Sequence, residues 1–120
     1  MKSIKELYRI GTGPSSSHTM GPRKAAEMFL TRHPEAASFK VTLYGSLAAT
    51  GKGHMTDVAI IDTLKPTAPV DIIWQPKIFL PFHPNGMNFV ALDAGGNELE
   101  NWTVYSVGGG ALAEDNKQPS

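Results

Sequence analysis

The stretch SFKVTLYG, residues 38–45, constrains the fold more than any other part of this sequence. Its apolar residues Phe39, Val41 and Leu43 stand at every second position, with polar residues between them. Successive side chains of a β-strand point to opposite faces of a sheet, so this alternation predicts a strand with one buried face. The strand is expected to end at Gly45. Because a single strand cannot bury its own apolar face, other parts of the chain must cover it.

The remaining segments show helical and strand patterns without an internal repeat. Apolar residues three and four positions apart predict two helices before the strand, and a capping residue predicts a third helix after it. Short apolar runs predict two strands and a hairpin in the second half. The predicted elements are helices over 4–9, from about Gly21 to Arg32 and from Thr56 or Asp57 through VAIIDTL, strands at VDIIW and KIFLPF, and a hairpin turning at Ala94–Asn97. This order favours an α+β domain in which helices pack on a mostly antiparallel sheet.

Composition limits the class of protein. The chain has 120 residues, of which 41% are hydrophobic, and this fits one small globular domain. Eleven basic residues balance eleven acidic ones, so we expect neither a nucleic acid nor a membrane surface as partner. The sequence contains no cysteine, which excludes disulfides and cysteine-ligated metal centres built from this chain alone. It also lacks the pattern of a signal peptide or a membrane helix, so we expect a cytoplasmic location.

Residues 11–22, GTGPSSSHTMGP, combine three consecutive serines with a histidine and a threonine. We expect this stretch to form a loop directly ahead of the helix that begins near Gly21. Hydroxyls and free backbone N–H groups at the positive end of a helix dipole favour the binding of an anion. The alternative is structural: Ser17 or Thr19 caps the helix, and the other serines fill the loop.

Two further loops carry histidines beside other polar side chains. The glycine-rich stretch GSLAATGKGHMTD, residues 45–57, is expected to be a polar loop that places His54 beside Thr56. The stretch FHPNGM places His83 and Asn85 in one turn. The alternative for each single histidine is a solvated or hydrogen-bonded turn residue without a chemical role.

Three histidine-bearing loops allow two kinds of site. A zinc or iron site is one, but the histidine spacings do not match a helical metal motif. The other is a site in which histidines, hydroxyls and an amide bind the carboxylate, amine or hydroxyl of a small metabolite. The neutral net charge and the many hydroxyls favour the metabolite. The fourth histidine, His33, stands at a predicted helix C-terminus, where it complements the helix dipole and needs no chemical role.

Four segments, IGTGPSSSHTMGP, LYGSLAATGKGHMTD, HPNGM and YSVGGG, carry a resemblance to a known family. In this order they resemble the signatures of the iron–sulfur-dependent L-serine dehydratases, in their β domain or β subunit. The resemblance covers nearly the whole chain, and its first segment is the most specific. It implies a fold similar to the allosteric substrate-binding domain of phosphoglycerate dehydrogenases. It also implies a share in an L-serine ammonia-lyase, which converts L-serine to pyruvate and ammonia.

The resemblance further implies how the catalytic groups are divided. In the family, cysteines of a separate α domain hold a four-iron, four-sulfur cluster that acts as a Lewis acid on the serine hydroxyl, while a base removes the α-proton. This chain is expected to bind no metal or cofactor itself. Its implied catalytic residues are His54 as the first choice for the base, His83 as the second, and His18 as a hydrogen-bond donor. The implied substrate-binding residues are Ser15, Ser17, Thr56 and Asn85.

The chain departs from the family pattern in two ways. It lacks cysteine and ends soon after GGG, so residues 1–112 are expected to be the β domain and residues 113–120 the start of a linker to an absent α domain. The stretch between IIDTL and FHPNGM is also shorter than in some relatives. We expect the isolated chain to be inactive, to need an α domain or subunit, and to form a homodimer. The alternative is a purely regulatory module that binds serine or supports dimerisation without catalytic residues.

Overall fold

The computed structural model of the chain describes residues 13–51, 56–108 and 111–114, with the backbone alone at 13–18, 50 and 51. The helix predicted over 4–9 lies outside these residues. Eight elements lie within them: α1 (Gly13–Arg32), β1 (Ser38–Tyr44), α2 (Gly45–Gly51), α3 (Thr56–Leu64), β2 (Val70–Gln75), β3 (Gly86–Leu92), β4 (Glu98–Gly108) and β5 (Ala111–Ala113). None of these helices is long and apolar enough to span a membrane.

The strands form one open sheet in the order β2-β1-β3-β4-β5. β1 pairs with β2 in parallel, and the other neighbouring pairs are antiparallel. A parallel pair needs a crossover connection, which here runs through α2 and α3, whereas a short hairpin joins β3 to β4. The predicted α+β fold with a mostly antiparallel sheet is confirmed. The likeness to the phosphoglycerate dehydrogenase domain and the boundary at residue 112 stay predictions.

The hydrophobic core lies on the face of the sheet that the helices cover. Phe39, Val41 and Leu43 of β1 are fully buried there, as their alternation predicts. Phe29 of α1 is also buried, and its ring stacks on that of Trp102 in β4 with 6.0 Å between the ring centres. Burial of each such large apolar side chain stabilises the fold by about 1.5–3 kcal/mol. The core therefore holds α1 against β4.

The hairpin between β3 and β4 turns where the sequence predicts it. The carboxylate of Asp93 accepts hydrogen bonds from the backbone N–H groups of Gly95 at 2.9 Å and Asn97 at 2.8 Å. The bond from the Asn97 backbone holds the pKa of Asp93 below its usual value. The helix after Thr56 and the strand at VDIIW are likewise confirmed, as α3 and β2.

α1 begins at Gly13, whereas the sequence predicts a start near Gly21. Ser15, Ser17 and His18 consequently lie in the first two turns of the helix and not in a loop ahead of it. The proline after Gly21 suggested a helix start because proline is favoured in the first turn. Inside a helix it removes one hydrogen bond, to the carbonyl of the residue four positions earlier, and this helix continues through it. The earlier Gly-Pro pair, at 13 and 14, stands at the true start.

Two other segments differ from their predictions. Residues 45–51, predicted as part of a polar loop, form α2, in which the glycines stand only at the two ends and the good helix formers leucine and alanine lie between them. KIFLPF, predicted as a strand, forms none. Pro76 directly before it and Pro81 within it lack the N–H that a strand ladder needs. The ring of Phe82 instead packs 4.9 Å from that of Tyr105, on the sheet face opposite the helices.

Candidate functional site

Segments from three of the four motifs meet at one end of the sheet, which we call the motif end. β1 finishes there at Tyr44, and its neighbour β3 runs the opposite way and begins there at Gly86. Gly86 pairs in turn with Tyr105, close to the end of β4. The start of α2, the His83–Asn85 turn and the YSVGGG segment therefore lie side by side.

Hydrogen bonds tie the His83–Asn85 turn to both of its neighbours. The carbonyl of Pro84 accepts a hydrogen bond from the backbone N–H of Ser46, at the start of α2, at 3.0 Å. The backbone carbonyl of Asn85 accepts one from the N–H of Ser106 at 3.0 Å, and its side-chain Nδ2 donates one to the Ser106 carbonyl at 3.1 Å. Because these bonds reach two different elements, they fix both the position and the direction of the turn.

Gly45 brings α2 into contact with this turn. Its φ of +51° lies in the left-handed region, which residues with a Cβ rarely adopt. A Cβ at this position would also lie 2.7 Å from the Pro84 carbonyl oxygen and 2.8 Å from the Phe79 ring. Both observations require glycine here. The close approach lets the backbone N–H of Ser46, the second residue of α2, reach the turn.

α1 reaches the motif end through Gly21. Ser106 of β4 is fully buried, and a Cβ on Gly21 would lie 2.9 Å from the Ser106 Cβ and nearer still to its Oγ. Only the small side chain of Ser106 thus lies between the helix backbone and the strand at this point. Ser17 and His18 precede Gly21 by about one helical turn, or about 5.4 Å along the axis. The backbone of the serine motif is therefore placed at the motif end as well.

The ring of His83 is half-buried within its turn. Its Nδ1 accepts a hydrogen bond from the backbone N–H of Asn85 at 3.0 Å. Its ring centre lies 6.5 Å from that of Tyr105. The structure therefore brings His83 and Asn85 together as the sequence predicts, while their chemical roles stay predictions.

Thr56 is the first residue of α3, and it is fully buried. α3 packs against α1, the helix that carries the serine motif. His54 lies outside the described residues, so its place beside Thr56 stays a prediction. The directions of the Ser15, Ser17 and His18 side chains also lie outside the described part of the structure.

Arg32, His33 and Glu100 form a cluster at the other end of the sheet. The Glu100 carboxylate accepts two hydrogen bonds from the Arg32 guanidinium at 3.1 Å, and one of its oxygens lies 2.5 Å from Nε2 of His33. Partial burial raises the pKa of Glu100, but the hydrogen bonds from Arg32 and His33 outweigh it and hold that pKa below its usual value. His33 thus joins the end of α1 to β4, and Glu100 is a partner that the sequence did not reveal.

Three residues that build the motif end were not predicted from the sequence, namely Gly21, Gly45 and Ser106. Their roles depend on contacts between distant segments, and the only signal was their place inside the quoted motifs. The chemical groups gathered here are an imidazole, a carboxamide and backbone donors, which suit hydrogen bonding and proton transfer to a small polar molecule. Across the described ranges, no three His, Cys, Asp or Glu side chains lie close enough together to hold a metal ion.

Comparison with known proteins gives the family. The sequence profile of the serine dehydratase beta chain matches residues 3–72 and 62–117. This chain belongs to the serine dehydratase beta chain family. The resemblance noted in the sequence is therefore confirmed.

Several L-serine dehydratases are similar to this member of the family. That of Streptomyces coelicolor is 35% identical over 153 residues, covering 94% of this chain and 34% of the relative. That of Haemophilus influenzae is 34% identical over 155 residues, covering 96% of this chain and 34% of the relative. L-serine dehydratase TdcG of Escherichia coli is 36% identical over 156 residues, covering 96% of this chain and 34% of the relative.

The chain spans about one third of the length of these relatives. The alignment with the Streptomyces protein extends over 153 residues but includes 94% of this chain, or about 113 of its residues. At least 40 positions of the relative therefore have no counterpart here. The two matches to the serine dehydratase profile overlap at residues 62–72, which agrees with the shortening expected between IIDTL and FHPNGM.

Proposed function

We propose that this chain is the β domain of an L-serine dehydratase and supplies polar groups to a site shared with a second domain. The reaction converts L-serine to pyruvate and ammonia. The observation that carries the proposal is the convergence of four separated motifs at the motif end. At two of the contacts there, Gly45 with Pro84 and Gly21 with Ser106, there is no room for a Cβ on the glycine. The convergence of the motifs therefore depends on glycine at both positions. L-serine is proposed as the substrate because the relatives are named L-serine dehydratases.

The iron–sulfur cluster of this proposal belongs to the second, α domain. Such a cluster is held by cysteine thiolates, and this sequence contains no cysteine. The described residues also contain no group of three or more acidic, histidine or cysteine side chains that fits a metal ion. The side chains of this sequence therefore do not fit an iron–sulfur cluster. In the proposal, this chain only binds the substrate and transfers protons. The isolated chain is accordingly inactive.

The first turns of α1 suit the carboxylate of the substrate. The first N–H groups of a helix have no carbonyl partner within it, and the helix dipole favours negative charge at that end. Ser15 and Ser17 add hydroxyl groups to the same turns. Thr56 and Asn85 help to hold the substrate, and His18 donates a hydrogen bond. Asn85 gives one amide hydrogen to the Ser106 carbonyl, and its Oδ1 accepts from the ammonium group of serine.

Removal of the α-proton needs a base with an accessible lone pair. His54 takes this role in the proposal, because Thr56 and Asp57 follow it closely in the sequence and their side chains can orient an imidazole. Its place in the motif that begins at Gly45 links it to the contacts described above. The homodimer of the proposal is a separate expectation, tested by the mass of the assembled enzyme in solution.

An apolar surface beside the turn supports the presence of a second domain. Ile78, Phe79, Phe82 and Val107 expose 45%, 58%, 49% and 41% of their surfaces. These residues lie in the connection that enters the His83–Asn85 turn and at the end of β4, both at the motif end. Neighbouring exposed apolar side chains are typical of interaction surfaces. The remaining two thirds of the relatives supply a polypeptide of sufficient size to cover them.

A chimeric enzyme tests the proposal. The matching third of Escherichia coli L-serine dehydratase TdcG is replaced by this chain, and pyruvate formation from L-serine is measured without oxygen. We expect turnover in the chimera and none in the isolated chain. Asn85→Ala should abolish most of the turnover, whereas the matched control His33→Ala, at the other end of the sheet, should retain it.

Two outcomes would contradict the proposal. Pyruvate formation by the isolated chain would remove the need for a second domain. If Asn85→Ala, His83→Ala and His54→Ala all leave the turnover of the chimera unchanged, the chain contributes no reacting groups. Serine binding to the isolated chain in that case would indicate the regulatory module.

A further inference from the structure

The hydrogen bond within the His83–Asn85 turn determines where the ring of His83 carries its proton. The backbone N–H of Asn85 donates to Nδ1 of His83 at 3.0 Å. A backbone N–H can only donate, so Nδ1 must offer a lone pair. A neutral imidazole has one protonated and one unprotonated nitrogen. The proton of the neutral ring is therefore on Nε2.

The surrounding contacts hold the Asn85 N–H in this direction. The Asn85 carbonyl accepts from the N–H of Ser106, and the Asn85 side chain donates to the Ser106 carbonyl. The Pro84 carbonyl is held by the N–H of Ser46. The peptide group that carries the donor and the peptide group that follows it are thus both held by neighbouring elements. The ring cannot exchange Nδ1 for Nε2 in this contact without breaking the Asn85 bond.

We propose that His83 presents Nε2–H as a hydrogen-bond donor to an oxygen atom of the substrate, and that it is not the base. This inference rests on the proposed function for the identity of the substrate as a hydroxy amino acid. Its carboxylate and hydroxyl oxygens accept such a bond, whereas its ammonium group does not. With Nδ1 engaged by Asn85 and Nε2 protonated, the neutral ring holds no free lone pair for an α-proton. The base is then a different histidine of the motifs.

Nuclear magnetic resonance of the isolated chain tests the tautomer without any activity. With ¹⁵N-labelled histidine and backbone, we expect a scalar coupling across the hydrogen bond between the Asn85 amide nitrogen and Nδ1 of His83. We also expect Nδ1 to resonate as an unprotonated nitrogen and Nε2 as a protonated one when the ring is neutral. A protonated Nδ1, or the absence of the coupling, would overturn the assignment.

Two isosteric substitutions separate the possible roles of His83 in the chimeric enzyme. The amide of glutamine reaches the position of Nε2 and keeps a donor there, whereas the amide of asparagine reaches only the position of Nδ1 and keeps the acceptor for the Asn85 N–H. We expect His83→Gln to keep kcat/KM within about tenfold of the wild type, and His83→Asn to lower it by about ten- to hundredfold, as for the loss of one bond to a charged group.

The other patterns of activity each contradict the inference. If His83→Asn retains activity and His83→Gln loses it, the ring serves only to hold the turn. If both variants lose kcat by more than a hundredfold, His83 is a base. Exchange protection of the Asn85 amide should persist in His83→Asn and fall in His83→Gln, which checks the turn itself. Absence of turnover in the wild-type chimera contradicts the proposed function instead, and the spectroscopic result still decides the tautomer.

Discussion

Replacing Gly45 with alanine tests the contact that positions the His83–Asn85 turn. The left-handed backbone at φ +51° costs a residue with a Cβ about 1–2 kcal/mol. The new Cβ would also lie 2.7 Å from the Pro84 carbonyl oxygen and 2.8 Å from the Phe79 ring. Overpacking of this kind typically costs about 1–3 kcal/mol. The two costs together lower the free energy of unfolding by about 2–5 kcal/mol.

Urea and thermal unfolding of the chain, followed by circular dichroism, measure this loss. It is a large part of the stability of a small domain, which is about 5–15 kcal/mol. At about 4 °C for each kcal/mol, the Tm should fall by about 8–20 °C. Gly96→Ala is the matched control, because Gly96 has a φ of +85° but nothing within 4 Å of the position of a new Cβ. It should lose only the backbone cost of about 1–2 kcal/mol.

The difference in stability loss between Gly45→Ala and Gly96→Ala tests the contact between α2 and the turn. An equal loss of stability in Gly45→Ala and Gly96→Ala would mean that α2 does not press on the Pro84 carbonyl. A Gly45→Ala variant as stable as the wild type would contradict both the left-handed backbone and the contact. In the chimeric enzyme, Gly45→Ala should also lower kcat/KM more than Gly96→Ala, since only Gly45 touches the turn that carries His83.

Three further predictions concern other parts of the chain. Folding lowers the pKa of Glu100 below its ordinary value of 4.5. The carboxylate therefore stabilises the fold above pH 4.5, and this stabilisation is lost as the pH falls through the lower pKa of the folded chain. Glu100→Gln should remove this acid-dependent loss in unfolding measurements. Ser15→Ala or Ser17→Ala in the chimera should weaken serine binding by about 1.5–3 kcal/mol with a nearly unchanged Tm, and a lowered Tm with unchanged KM would instead indicate helix capping. In the chimera, His54→Ala should lower kcat at least about 100-fold and leave unchanged the spectrum of the cluster that the proposal assigns to the second domain, whereas His33→Ala should change kcat little.

Local patterns in the sequence predicted the elements that local interactions determine. The alternation at Phe39, Val41 and Leu43 places β1 correctly, because side chains of a half-buried strand sort by polarity at every second residue. The helix after Thr56 was predicted from its cap and the apolar run that follows. The turn at Asp93 has a side chain that binds the backbone N–H groups ahead of it, a preference that the sequence displays directly.

Elements whose form depends on distant contacts were predicted less well. Gly21 and Pro22 resemble a helix start, but in the fold Gly21 is the point at which α1 touches Ser106. Phe82 belongs to an apolar run that is typical of a strand, but in the fold its ring packs against the ring of Tyr105 in β4. Gly45 reads as a loop residue and in fact begins a helix against the turn. In each case the glycine or apolar residue serves a tertiary contact that no local pattern contains.

The two anchors of α1 explain why the serine motif stands at the edge of the domain. The helix is held at Gly21 by Ser106 and at Arg32 by Glu100, so it runs antiparallel to β4. The helix anchors are separated by 11 residues, or about 17 Å along the helix axis, which is close to the roughly 20 Å between the strand anchors. The helix then continues from Gly21 back to Gly13 for about 12 Å, whereas β4 continues past Ser106 for only about 7 Å. The first turns of α1 therefore extend beyond the sheet, where the second domain of the proposed function would have access to them.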